Sequence, residues 1–97
     1  MNYDFEWDPA KDRLNRRKHG VHFVQATLVF RDPRAISVFD EDHSQTEDRW
    51  VTLGLSASGG MLVVHHTYRE SGTANICIRI ISCRKATKRE ISQYREK

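Results

Sequence analysis

Cysteine, proline and glycine are all scarce here: 97 residues include two cysteines, two prolines and five glycines. Cys77 and Cys83 fall on or just past one predicted strand. At roughly 3.3 Å per residue they lie ~20 Å apart, far beyond disulfide reach. Both read as reduced packing residues. No apolar run is long enough for a membrane span. The opening residues MNYDFEWD are too acidic and too short in apolar residues for a signal peptide, so a cytoplasmic protein is expected. A Gly-rich phosphate loop is missing. His19-x-x-His22 is broken by Gly20 and has no nearby Cys or Asp to complete a ligand set. Neither a metal nor a cofactor is expected. The length suits one domain over residues 1–97 and is too short for two.

Charge, by contrast, is plentiful and unevenly placed. Lys and Arg number 16 against 13 Asp and Glu, a net charge of +3. Lys11, Arg13, Arg16, Arg17 and Lys18 crowd the first predicted helix, and Arg79, Arg84, Lys85, Lys88 and Arg89 the last third. Between them lie Asp40, Glu41, Asp42, Glu47 and Asp48. Such segregation supports an anionic partner at one face, though a solvated surface explains it equally well.

The residues around Phe5 and Trp7 alternate as a short strand. Asp8-Pro9 then opens a helix, with Asp8 as N-cap and Pro at the first helical position. Ala10 and Leu14 give this helix a thin apolar stripe, and Gly20 ends it. Phe23, Ala26, Thr27 and Phe30 predict a second helix, stopped by Asp32-Pro33. Ala35 to Phe39, Trp50 to Leu55, and Met61 to Tyr68 read as strands, with a polar loop over 40–48. Glu70 to Thr73 is the next turn. The last three strands form an antiparallel meander, and no βαβ crossover is needed. The fold class is α+β: a twisted antiparallel sheet of about four to five strands, two N-terminal helices and one C-terminal helix.

The stretch from Asn75 to Tyr94 organises the rest. Ile76, Ile78 and Ile80 fall on one side of an extended chain, with Cys77, Arg79 and Ile81 on the other. Arg84 and Lys85 follow at the strand end. Thr87-Lys88-Arg89-Glu90 is a capping box that opens a short basic helix. A well-anchored strand thus presents cations at its middle and its end.

FEWDPAKDRLNRRKHGVHF, ATLVFRD, RWVTLGLSASGGMLVVHHTYRE and IRIISCRKATKREISQY together resemble the BrnT family of bacterial toxins, over almost the whole chain from Phe5 to Tyr94. The family usually has Ala where this chain has Cys83, one small residue for another. The resemblance implies a RelE-like fold with helices packed on one face of the sheet. It implies a ribonuclease that blocks translation and arrests growth. It also implies a BrnA-like antitoxin with a ribbon-helix-helix part, the complex binding promoter DNA and repressing its own operon.

RNA can be cut without a metal, because its 2′-hydroxyl supplies the nucleophile. The protein must take that proton, stabilise the added negative charge and protonate the leaving 5′ oxygen. Arginine suits the middle task, since its fork binds two phosphate oxygens and keeps its charge. Arg79 is the first candidate for the phosphate clamp; its plain alternative is an exposed arginine paired with Glu6 or Asp8. Arg84 at the strand end and Arg69 on a neighbouring strand are further catalytic candidates. His19, at a helix carboxyl end that favours its charged form, is the acid–base candidate; a capping role is the alternative. Lys18, Lys85, His66 and Tyr94 are candidate RNA contacts. Antitoxin contact serves equally for the two lysines, and core packing for His66 and Tyr94. His65 and His66 must point to opposite faces, so at most one reaches the site; core packing is the alternative for His65 as well.

A ribonuclease toxin and a non-enzymatic nucleic-acid- or partner-binding module use the same cations. Salt dependence does not separate them, because both release counterions. Substitution of Arg79 does.

Overall fold

The alternating isoleucines of the last third form the central strand of a six-stranded sheet. The computed structural model describes residues 2–96. In chain order these form β1 (Asn2–Glu6), α1 (Pro9–His19), α2 (Phe23–Thr27), a 3-10 turn (Leu28–Arg31), β2 (Ile36–Phe39), a second 3-10 turn (Glu41–His43), β3 (Arg49–Ser56), β4 (Gly60–Thr67), β5 (Arg69–Ser71), β6 (Asn75–Lys85) and α3 (Lys88–Arg95). The strand order is β1-β6-β4-β3-β2, with β5 beside β6.

Two features of the sheet correct the expectation. The sheet is mixed rather than antiparallel, because β1 runs parallel to β6 from Asn2↔Asn75 to Glu6↔Arg79. A parallel neighbour needs a long crossover, and the chain between them, helices included, supplies it. The Met61 strand also does not end at Tyr68. After a one-residue break it resumes as β5, so Arg69 to Ser71 pair with Cys77 to Asn75. The turn is therefore confined to Gly72–Ala74, with Gly72 in the left-handed region at φ 72°.

The register of β4 on β6 shifts between His65, opposite Ser82, and His66, opposite Ile80. Ile81 is the extra residue of a bulge, and the alternation changes parity there. Ile76, Ile78, Ile80 and Cys83 consequently share one face with Val64 and Leu62. Val21, Phe23, Ala26 and Val29 cover that face and complete the main core. Each fully buried Val, Leu, Ile or Phe among them contributes about 1.5–3 kcal/mol. The 3-10 turn sits directly on β3 at Gly54, where an added Cβ would stand 2.8 Å from Val29 Cγ1.

The helices divide between the two faces, whereas the resemblance implies a single helical layer. α3 packs Tyr94 against Leu53 and Val63, on the face opposite the isoleucines. Its capping box is present as read: Thr87 Oγ1 accepts from Glu90 N, and Glu90 Oε1 accepts from Thr87 N. Asp32 ties this layer to the sheet, accepting from the Tyr94 hydroxyl at 2.6 Å and Leu55 N at 2.8 Å. Burial pushes the Asp32 carboxyl up, but those donors and the Arg34 N–H outweigh it and hold it below the usual carboxylate range.

The expected apolar stripe on α1 faces water: Ala10 is exposed and Leu14 is 60% exposed. The buried anchor is Asn15. Its amide donates to Cys83 O at 2.8 Å and Val21 O at 3.0 Å, and its oxygen accepts from Cys83 N at 3.1 Å. A polar residue supplies the contact that apolar spacing assigned to Leu14.

Candidate functional site

Arg79 projects from the middle of β6 on the side away from the isoleucine core. Its backbone N–H donates to Thr67 Oγ1 at 3.2 Å, closing the gap where β4 breaks before β5. Its guanidinium donates to the Glu47 carboxylate, which also stands 3.7 Å from Arg49. Glu47 comes from the acidic segment, so residues 40–48 reach onto this face. Arg69, opposite Cys77, lines the same cavity of about 250 Å³ as Arg79, together with Glu6, Asp48 and Thr67.

The bulge decides which residues join them. Without it Arg79 and Arg84 would point to opposite faces; with it Ser82 and Arg84 share the face of Arg79. Arg84 donates to both oxygens of Glu90, at 2.8 and 3.0 Å. That fork pulls Glu90 down to about 2 and raises Arg84. Lys85 is exposed at the end of the strand.

His65 lies opposite Ser82 on this same face, half-buried. Among the described residues its ring nitrogens have no hydrogen-bond partner. Burial, then Arg84, hold the imidazole below the usual histidine range; Asp40 and Glu90 pull the other way, and His43 adds to the lowering. His65 is therefore neutral at pH 7 and has a nitrogen free to accept a proton.

His66 points the other way and is 2% exposed. One ring nitrogen, Nδ1, donates to Thr67 O at 2.8 Å. That fixes Nε2 as the acceptor from the Thr52 hydroxyl at 2.6 Å, and Ser37 then donates to Thr52 at 2.8 Å. Both nitrogens are occupied, which leaves neither for RNA. Burial holds the ring neutral. Tyr94 is likewise in the packing, its hydroxyl on Asp32 and its ring beneath Arg34 at 5.5 Å.

Arg69 and Arg79 thus line one cavity, and Arg84 shares their face farther along β6. Lys18 and His19 do not. They end α1, whose buried Asn15 docks on the opposite side of β6. Two residues of the cationic face were missed as site members: Glu47, read as part of a polar loop, and His65, read as core. The loop's opposite charge to the strand was the available signal for Glu47.

Residues 7–90 match the family described as "Ribonuclease toxin, BrnT, of type II toxin-antitoxin system". The chain belongs to the BrnT family. Its fold is similar to that of the Brucella abortus ribonuclease toxin BrnT, with a TM-score of 0.63 at 20% identity, covering 91% of this chain and 100% of that one. No curated protein matches the sequence. As a BrnT-family toxin of a type II system, the chain has an RNA target and an antitoxin partner at the family level. Among the described residues no cluster of three or more His, Cys, Asp or Glu is placed to hold a metal ion. No helix there is long and apolar enough to cross a membrane.

Proposed function

We propose that this BrnT-family chain is a metal-independent endoribonuclease that cuts on the sheet face carrying Arg69, Arg79, Arg84 and His65. The observation that carries the reading is the bulge at Ile81, which turns Arg84 onto the face of Arg79. A phosphate takes the place of the Glu47 carboxylate on Arg79, since both present two oxygens to the same fork. Arg69 supplies a second cation in the same cavity. His65 takes over the acid–base role assigned to His19, because it shares the arginines' face. On register, His65 lies diagonal to Arg84, about 7–8 Å away between backbones. Its free nitrogen accepts the 2′-hydroxyl proton as the 2′ oxygen bonds to phosphorus. The phosphorus–5′ oxygen bond breaks, and the leaving oxygen takes a proton from solvent. The products are a 2′,3′-cyclic phosphate and a 5′-hydroxyl.

In this reading the chain acts as one domain in the cytoplasm, with RelE-like inhibition of translation and growth. Lys85, opposite Leu62, alternates onto the isoleucine face and stays outside the cationic track. A BrnA-like ribbon-helix-helix antitoxin neutralises it, and the pair represses its own promoter. Lys18 and His19, on the other layer, belong with antitoxin contact.

One observation favours the non-enzymatic alternative: Arg79 and Arg84 are both carboxylate-paired in the free chain. Purified protein incubated with an RNA oligonucleotide in excess EDTA separates the two. Cleavage with cyclic-phosphate ends, blocked by one 2′-deoxy substitution at the cut position, is expected. Binding without cleavage leaves only the binding module, and cleavage that EDTA abolishes removes metal independence.

A further inference from the structure

A second cavity, of about 320 Å³, opens on the other face of the sheet, lined by Tyr3, Phe30, Ser37, Trp50, His66 and Tyr68. Its walls are aromatic. Trp50 and Tyr68 stand with ring centroids 6.3 Å apart, and Tyr3 and Phe30 6.1 Å apart. Tyr3 and Tyr68 keep 42% and 40% of their surface exposed, so large rings face open space. Behind them runs a polar floor, the Ser37–Thr52–His66 hydrogen-bond chain. Flat aromatic walls with a few fixed polar groups suit a planar heterocycle.

Its position says which heterocycle. Tyr68 borders this cavity and the Arg69–Arg79 cavity alike. Tyr68 is also the break between β4 and β5. β3 pairs with β4 no further than Arg49↔Thr67, and β5 pairs only with β6. The far edge of β5 is therefore unpaired, and Tyr68 stands between the two cavities there. A ligand with an anionic group on one side and a planar ring on the other fits that edge.

We infer that the aromatic cavity is a nucleobase subsite, holding the base next to the phosphate gripped by Arg69 and Arg79. It deepens the ribonuclease reading, on which it rests for its ligand. Bases stack on aromatic side chains with little sequence demand, and the Ser37 hydroxyl adds a polar group that can discriminate among them.

Tryptophan fluorescence of the full chain, titrated with the four ribonucleoside monophosphates, tests it. Saturable quenching by at least one nucleotide is expected, and none with ribose 5-phosphate. Tyr68→Leu should weaken that binding about tenfold or more; Tyr3→Leu, on another strand, is the second variant. In cleavage assays both should raise KM and blunt base preference more than they lower kcat. Equal quenching by ribose 5-phosphate, no quenching, or wild-type binding by both variants overturns the subsite. An apolar peptide that quenches while no nucleotide does also overturns it, as the cavity then serves a protein partner. Tyr68-dependent nucleotide binding without RNA cleavage keeps the subsite and removes the ribonuclease reading. Wild-type cleavage with unchanged preference in both variants does the reverse.

Discussion

Two single residues carry more than their local patterns announce. Asn15 is the polar anchor of α1, with three hydrogen bonds to the backbone of Val21 and Cys83. Asn15→Ala leaves those buried groups unpaired, so it should cost about 3 kcal/mol, read as a lower denaturation midpoint at unchanged slope. Spacing alone could not find it, because an Asn inside a basic helix looks like surface. His65 was hidden for a different reason. Its neighbours Val63 and Thr67 made it resemble packing, and its companions Arg84 and Glu90 are remote in sequence. If neutral His65 is the base, kcat/KM should rise with pH through a value below 6.5 and then level off. His65→Gln should remove that acid limb and lower the rate about 100-fold or more. A His65→Gln enzyme with the wild-type rate and pH profile contradicts the assignment.

Among the elements, β6 and α3 were legible from local signals, period-two isoleucines and a capping box. What those signals could not show is the bulge at Ile81, because a register shift is a property of two strands rather than one. Arg84 and Arg79 share a face only through it. The same holds for Glu47: opposite charge hinted at a contact, but a loop without fixing turn residues does not say that it lands on Arg79. Glu90 serves twice, closing the cap and gripping Arg84. Glu90→Ala should therefore cost about 1–2 kcal/mol, the cap being the larger part because the ion pair is partly exposed. The depressed Glu90 carboxyl contributes stability that is complete above its ordinary 4.5 and is lost as pH falls toward about 2. Near-ultraviolet circular dichroism of Tyr94 and thermal melts across that window should show α3 loosening, and the Glu90→Ala variant should keep only the smaller part that Asp32 contributes through Tyr94.

At the scale of the whole molecule, the α+β class was readable and the layering was not. Pairing of β1 with β6 joins residues some 70 positions apart, which no local periodicity encodes. The division of helices between the faces follows from that topology, leaving one face for cations and the other for aromatics. His65 and His66 are both held neutral by burial. A lowered histidine value means the unfolded chain binds more protons below 6.5, so global stability should decline as pH drops from 7 toward 5. Urea denaturation at the two pH values checks the sign. The most direct measurement compares cleavage of one RNA oligonucleotide by two variants of opposite layers, Arg79→Ala and the triple Arg13→Ala, Arg16→Ala, Arg17→Ala. With both folded, the first should lose at least about 100-fold in rate and the second should stay near wild type. Cleavage that survives in Arg79→Ala and disappears in the triple variant would place the cutting site on α1 instead.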